Sequence, residues 1–173
     1  MDRLGVVPDI IAFAKGITSG VVPLGGALVT DQIYNAFMTG PTHLVEFFHG
    51  YTYSAHPLAC AAGLAALEVY ETEGLFERAR QLEPVLADAI HSLRGEPHVI
   101  DVRNFGLAAA VEFEPRDGAP TVRAMEIFHH CFDHDAMVRY SGDIIAVGPA
   151  LIISETEIHQ LIEGVRQAIR AVA

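Results

Sequence analysis

The chain has 173 residues, 51% of them hydrophobic, and a formal net charge of −11 at pH 7. That is apolar material for one ordinary domain, or one and a part, at ~100–200 residues per domain. The acidic balance and the scatter of the basic residues exclude a nucleic-acid or anionic-membrane partner, because both recruit basic patches.

In chain order, Met1-Asp2-Arg3-Leu4-Gly5 lacks the basic-then-apolar start of a signal peptide. A loop-like stretch through Pro8-Asp9 leads at once into Ile10 to Ala14, an apolar run typical of a strand buried on both faces. The chain therefore reads as starting inside a domain. Gly16, Gly20, Pro23, Gly25 and Gly26 form a loop able to approach a ligand closely, and Ala27 to Val29 reads as a second strand. Asp31 is expected to cap a helix through Phe37. Residues 39–55 are irregular, aromatic and histidine-rich, and a loop of that length in a compact domain is commonly functional. Pro57 opens a helix of small residues, including Ala59-Cys60-Ala61-Ala62-Gly63, which should pack closely on its neighbours. Gly74 ends it, and an amphipathic helix follows from about Leu75 to Leu93.

After Gly95 the expected strands are Val99 to Val102 and Leu107 to Phe113, joined through Arg103-Asn104-Phe105-Gly106. A helix over Thr121 to Phe132 precedes strand-like segments at Met137 to Tyr140 and Ile144 to Val147. Ser154 and Glu157 form a capping box that opens the last helix. A boundary near residues 70–75 separates the remnant of a parallel α/β domain from a smaller α/β domain. The two cysteines, Cys60 and Cys131, do not make a disulfide framework and suit a reducing cytoplasm. Every apolar stretch is broken well before the ~18 residues that a membrane span needs.

Three constellations carry chemistry. Lys15 is the only lysine among 11 basic residues, and it ends the apolar run just before Gly16. A lysine ammonium loses its proton readily when desolvated, and the neutral amine attacks carbonyls to form a Schiff base. At the end of a buried strand it would face the crevice where open α/β sheets bind ligands; the plainer alternative is a strand-end lysine reaching solvent. The second constellation is His49-Gly50-Tyr51-Thr52-Tyr53-Ser54-Ala55-His56-Pro57, which runs into a helix N-terminus suited to phosphate. The same residues fit a packed aromatic loop with a Ser/Thr cap equally well. The third is Met137-Val138-Arg139-Tyr140-Ser141-Gly142-Asp143, where Arg139 offers a planar fork to a carboxylate. Taken alone, Arg139 reads more simply as a surface residue paired with Asp143. His130 and His134 share a helical face without a convincing third ligand, so no metal site is expected.

Pro8-Asp9-Ile10-Ile11-Ala12-Phe13-Ala14-Lys15-Gly16, Val22-Pro23-Leu24-Gly25-Gly26 and the His49 to Pro57 segment together resemble class III aminotransferases, pyridoxal-phosphate enzymes of fold type I. Val45-Glu46-Phe47-Phe48 and Val99 to Leu107 are most similar to the ω-amino acid–pyruvate branch, which includes β-alanine–pyruvate aminotransferase. The resemblance runs along the whole chain but covers only the C-terminal part of family members.

The resemblance implies an α/β fold. Residues 1–72 would be the C-terminal part of the large cofactor-binding domain, and residues 73–173 the small C-terminal α/β domain. Lys15 would hold pyridoxal 5'-phosphate as a Schiff base and shuttle the substrate proton. Thr52 would reach across a homodimer interface to the partner's cofactor phosphate, with Tyr51 beside that site. Arg139 would bind the substrate carboxylate or swing away for an apolar amine. The implied reaction moves an amino group from an ω-amino acid or amine to pyruvate. The alternatives are another class III enzyme, such as an aminomutase, or a non-catalytic dimerising remnant. The family's phosphate loop, its ring-stacking aromatic residue and the aspartate that pairs with the pyridinium nitrogen have no counterpart here. Asp9 fits the family's Pro-Asp signature and reads as structural. The chain alone is thus expected to be an inactive C-terminal fragment.

Overall fold

The computed structural model describes residues 4–44 and 47–173; Val45 and Glu46, which the resemblance uses, lie outside the described residues. The chain divides into two compact units, Met1–Glu73 and Gly74–Ala173.

In the first unit, β1 (Ile10–Ala14) pairs antiparallel with β2 (Gly25–Val29), with Phe13 opposite Gly26 and Ala14 opposite Gly25. A Cβ at position 26 would stand 2.6 Å from the Phe13 ring, so any larger residue there would have to displace that ring. A single 3-10 turn, Lys15–Thr18, leaves the end of β1. Two helices follow, α1 (Asp31–Phe37) and α2 (Pro57–Thr72), the latter opened by its proline. The first turn of a helix tolerates a residue without an N–H.

Two expectations need correction here. β1 is not buried on both faces: it alternates exposed and half-buried residues, since β2 is its sole strand neighbour among the described residues and the pairing is antiparallel. The cap position of α1 is Thr30 rather than Asp31, which lies in the first turn, where a carboxylate meets the positive end of the helix dipole.

The second unit builds a core of its own. Helix α3 (Leu75–His91) leads into β3 (Val99–Phe105) and β4 (Ala108–Phe113). Then come α4 (Val122–Asp133), β5 (Arg139–Ser141), β6 (Ile144–Val147) and α5 (Glu155–Val172). The sheet is antiparallel throughout, in the order β3-β4-β6-β5. Alternate residues Ala109, Val111 and Phe113 of β4, with Ile145 and Val147 of β6, face one way and are buried. Leu82, Leu86 and Ile90 of α3 and Ile158, Ile162, Val165 and Ile169 of α5 recur at helical spacing and close over them in one cluster.

The β3–β4 connection is tighter than the sequence suggests. β3 continues through Phe105, which pairs with Ala108, so Gly106 and Leu107 alone make the turn. Gly106, at φ 59°, supplies the left-handed backbone that two-residue hairpins need. Arg103 is consequently a strand residue, bonded to Glu112 at 2.7 Å and Asp101 at 2.5 Å.

Two carboxylates fasten the helices of this unit. Glu96 accepts from Arg166 at 2.5 Å and from Arg170 at 2.8 Å, tying the segment after α3 to α5. The Arg170 hydrogen bond, joined by Arg166, holds the Glu96 carboxyl below its usual range against the opposing effect of burial. Ser154 and Glu157 exchange both bonds of the capping box, and the Ser154 hydroxyl and N–H lower the Glu157 carboxyl in turn. A carboxyl depressed in the folded state stabilises above its unfolded value, about 4.3, and that contribution is lost as pH falls through the lower folded value. Glu96→Gln should therefore lower the thermal midpoint at neutral pH, and the gap to the wild type should close as acid titrates Glu96. An equal gap at every pH in thermal melts would contradict this linkage.

Cys131 sits in the same core, where burial pushes its thiol up to about 11, while Cys60 is only half-buried. A disulfide reagent at mildly alkaline pH should label Cys60 in the folded protein and reach Cys131 only on unfolding.

Candidate active site

Lys15 stands where the β1–β2 ribbon gives way to the 3-10 turn. Its backbone is left-handed, φ 57°, and so is that of Ser19 just past the turn, φ 50°. Outside glycine such conformations cost ~1–3 kcal/mol each and persist only where the surroundings impose them. Those surroundings are visible. Thr18, 2% exposed, donates its hydroxyl to the Val22 carbonyl at 2.6 Å. The Ser19 N–H donates to the Gly16 carbonyl at 3.1 Å. From α2, the Tyr70 hydroxyl donates to the same Gly16 carbonyl at 2.5 Å and lies 3.2 Å from Ser19 Oγ. Gly63 lets α2 come this close: a Cβ there would stand 3.1 Å from Leu24 Cδ2 and 3.6 Å from the Ile17 carbonyl oxygen.

The turn delivers an exposed Lys15 to the rim of a concavity of about 490 Å³, shared with Thr18, Val22, Leu24 and two glycines. That volume is in the ~300–1,000 Å³ range of small-molecule sites. The Lys15 side chain makes no hydrogen bond or ion pair with any described residue, so its amine is available to a ligand.

Tyr51 and Thr52 belong to the loop before α2. The Tyr51 N–H donates to Ser54 Oγ at 2.9 Å and the Ser54 N–H returns to the Tyr51 carbonyl at 2.9 Å, a turn closed by its own serine. Thr52 is held inside that turn, exposed and without a hydrogen-bond partner among the described residues. It lines a second concavity of about 600 Å³ with Tyr51, Phe47, Phe48, His49 and Gly50. Lys15 and Thr52 thus open on different concavities of the same unit. The loop ends at the N-terminus of α2, where Pro57 has no N–H to satisfy and the cap residue His56 makes no side-chain cap bond.

Arg139 begins β5 in the second unit, opposite Ala146, and its exposed side chain has no hydrogen-bond or ion-pair partner among the described residues. The pairing with Asp143 is not formed; that carboxylate accepts the Thr121 N–H at 2.7 Å instead. His130 and His134 stack their rings 4.1 Å apart, and the described residues contain no group of three metal-ligating side chains. Another cavity in this unit, about 400 Å³, is lined by His98, Glu114, Arg116 and Arg123. Its arginines are already engaged: Arg116 pairs with Glu126 at 2.7 Å, and Arg123 donates to the Glu114 carbonyl at 3.0 Å.

Sequence reasoning singled out Lys15, Thr52 and Arg139 and placed Gly63 in a close-packing helix, but missed Thr18 and Tyr70, which hold the lysine turn. A glycine inside a long helix costs about 1 kcal/mol relative to alanine, and that penalty marks a close packing point. Nothing local distinguishes Tyr70 or Thr18 from surface residues.

The family Aminotransferase class-III matches residues 1–169, and the chain belongs to it. An ω-aminotransferase from Caulobacter vibrioides is 52% identical over 168 residues, spanning 97% of this chain and 38% of that protein. A β-alanine–pyruvate aminotransferase from Pseudomonas aeruginosa is 43% identical over 174 residues, 99% of this chain and 39% of its own length. Among solved structures, a thermostable (S)-enantioselective ω-transaminase from Thermomicrobium roseum superposes with a TM-score of 0.88 at 37% identity. It covers 99% of this chain and 39% of its own. The chain therefore spans well under half the length of the relatives it matches. The expected family and α/β fold are borne out, and class III aminotransferases are pyridoxal-phosphate enzymes.

The Gly63 contact gives a test of the packing that positions Lys15. Gly63→Ala should be close to neutral, as helix propensity offsets the contact with the mobile Leu24 methyl. Gly63→Leu should cost ~1–3 kcal/mol by overpacking against the turn. Denaturant unfolding of the two variants checks the difference; an equally stable leucine variant would contradict the close approach.

Proposed function

We propose that this chain carries the cofactor lysine of a pyridoxal-phosphate-dependent aminotransferase that moves an amino group from an ω-amino acid or amine to pyruvate in the cytoplasm. The observation that carries this reading is the one lysine of the chain, placed by a strained turn at the mouth of a ligand-sized concavity in a class III sequence. The ω-aminotransferase and β-alanine–pyruvate aminotransferase relatives favour that donor class and acceptor.

The residues present fit the cofactor. Lys15 Nζ, unpaired among the described residues, can meet its aldehyde, and the exposed Thr52 hydroxyl, in the loop that leads into α2, suits its phosphate. When bound, pyridoxal phosphate supplies the electron sink that makes a substrate Cα proton removable. Lys15 Nζ takes that proton as general base and returns it as general acid. Because Thr52 opens on a different concavity from Lys15, we assign it, with Tyr51, to the cofactor phosphate of a second copy in a homodimer. Arg139, free of any ion pair with a described residue, takes the donor carboxylate in a bidentate grip. We assign residues 1–72 to the large cofactor domain and residues 73–173 to the small domain.

In a preparation of the protein that turns over, Lys15→Ala should abolish alanine formation from β-alanine and pyruvate. Arg139→Ala should raise KM at least about tenfold for a donor bearing a carboxylate, a charge-assisted contact of ~1.5–3 kcal/mol. It should leave KM for an amine without one nearly unchanged. Turnover surviving in Lys15→Ala would end the assignment of the lysine, and equal losses for both donors would end that of the arginine.

A further inference from the structure

The left-handed residues that flank the lysine turn share one external restraint. Gly16, directly after Lys15, gives its carbonyl to the Tyr70 hydroxyl at 2.5 Å, and Ser19 sets its Oγ 3.2 Å from that same hydroxyl. Tyr70 lies 54 residues downstream, in the last full turn before α2 ends at Thr72. Its hydroxyl bridges the two sides of a segment that the local backbone would not hold by itself, given φ values of 57° at Lys15 and 50° at Ser19. The contacts inside the turn fix its interior, through Thr18 to Val22 and Ser19 to Gly16. Among these hydrogen bonds, only that of Tyr70 ties the turn to a helix, beside the packing of Gly63 against Ile17 and Leu24.

We propose that Tyr70 is a positioning residue for Lys15: its hydroxyl, bonded to Gly16 and beside Ser19, orients the lysine toward the cofactor aldehyde. The proposal rests on the reading of Lys15 as the cofactor lysine. The physical gain is preorganisation. A lysine held near its bonded direction loses less freedom on capturing an aldehyde, so capture saturates at a lower concentration.

The test compares the wild-type chain with Tyr70→Phe, which removes one oxygen and keeps the ring, and with Ser19→Ala as a second variant. Each is titrated with pyridoxal phosphate, reduced with borohydride and mapped for the label on Lys15. Amide hydrogen exchange is followed at Ser19 and Val21, whose N–H groups bond Gly16 and Thr18, and along α2 as a reference. The expected result for Tyr70→Phe is at least a tenfold rise in the concentration giving half-maximal Lys15 labelling. Exchange should quicken at Ser19 and Val21 while α2 is unchanged, and Ser19→Ala should show a smaller shift of the same sign. Unchanged labelling overturns the proposal, even where exchange quickens, because the contact would then be structural alone. If the wild type takes no saturable label on Lys15, the cofactor-lysine reading fails and the positioning role fails with it. The exchange data then still report whether the hydroxyl restrains the turn, which separates the two failures.

Discussion

The close approach of α2 to the turn after β1 is the contact on which the candidate site depends. A two-stranded ribbon has little to fix the direction of the residue leaving it, and Lys15 is such a residue. The helix supplies what the ribbon lacks. Gly63 removes the side chain that would keep the two apart, Leu24 and Ile17 fill the contact, and Tyr70 reaches the Gly16 carbonyl. A left-handed lysine is then tolerable, because the cost of its backbone is spread over a packed and hydrogen-bonded surround.

The two units hold together by different means. Residues 74–173 form a self-sufficient core in which Leu86, Phe113, Ile145 and Ile158 are fully enclosed, and paired carboxylates fasten its last helix. Among the described residues of the first unit the buried groups are few: Thr18, Ala59 and Gly63. Many large apolar side chains of that unit stay exposed, Phe48 at 94% among them. Arg139 lies exposed on the short strand β5 of the second unit, in a chain that is otherwise strongly acidic.

Much of the second unit was legible because its signals are local. The capping box, the helical spacing of Leu82, Leu86 and Ile90, and the glycine at 142 all act within a few residues of themselves. The first unit was harder to read. The run Ile10 to Ala14 promised a strand enclosed on both faces, yet an apolar run states only a capacity for burial; what packs on it is decided elsewhere in the molecule. In sequence Arg103 reads as part of the connection after Val102, whereas in the fold Glu112 on the neighbouring strand pairs with it and it stays in the ladder. The same holds at the site. Lys15 could be singled out by rarity, but the groups that hold its turn come from up to 54 residues away and carry no local mark.

The most direct measurement of the central claim is the site of covalent capture. The purified chain is incubated with pyridoxal phosphate and reduced with borohydride, then weighed intact and mapped by peptide mass. With one lysine in the sequence, an imine to the cofactor aldehyde can be fixed only at Lys15 or at the terminal amine. A single saturable adduct on the peptide containing Lys15 is the expected result. An adduct confined to the terminus, or one that rises without saturating, would contradict the assignment of Lys15 as the cofactor-holding residue.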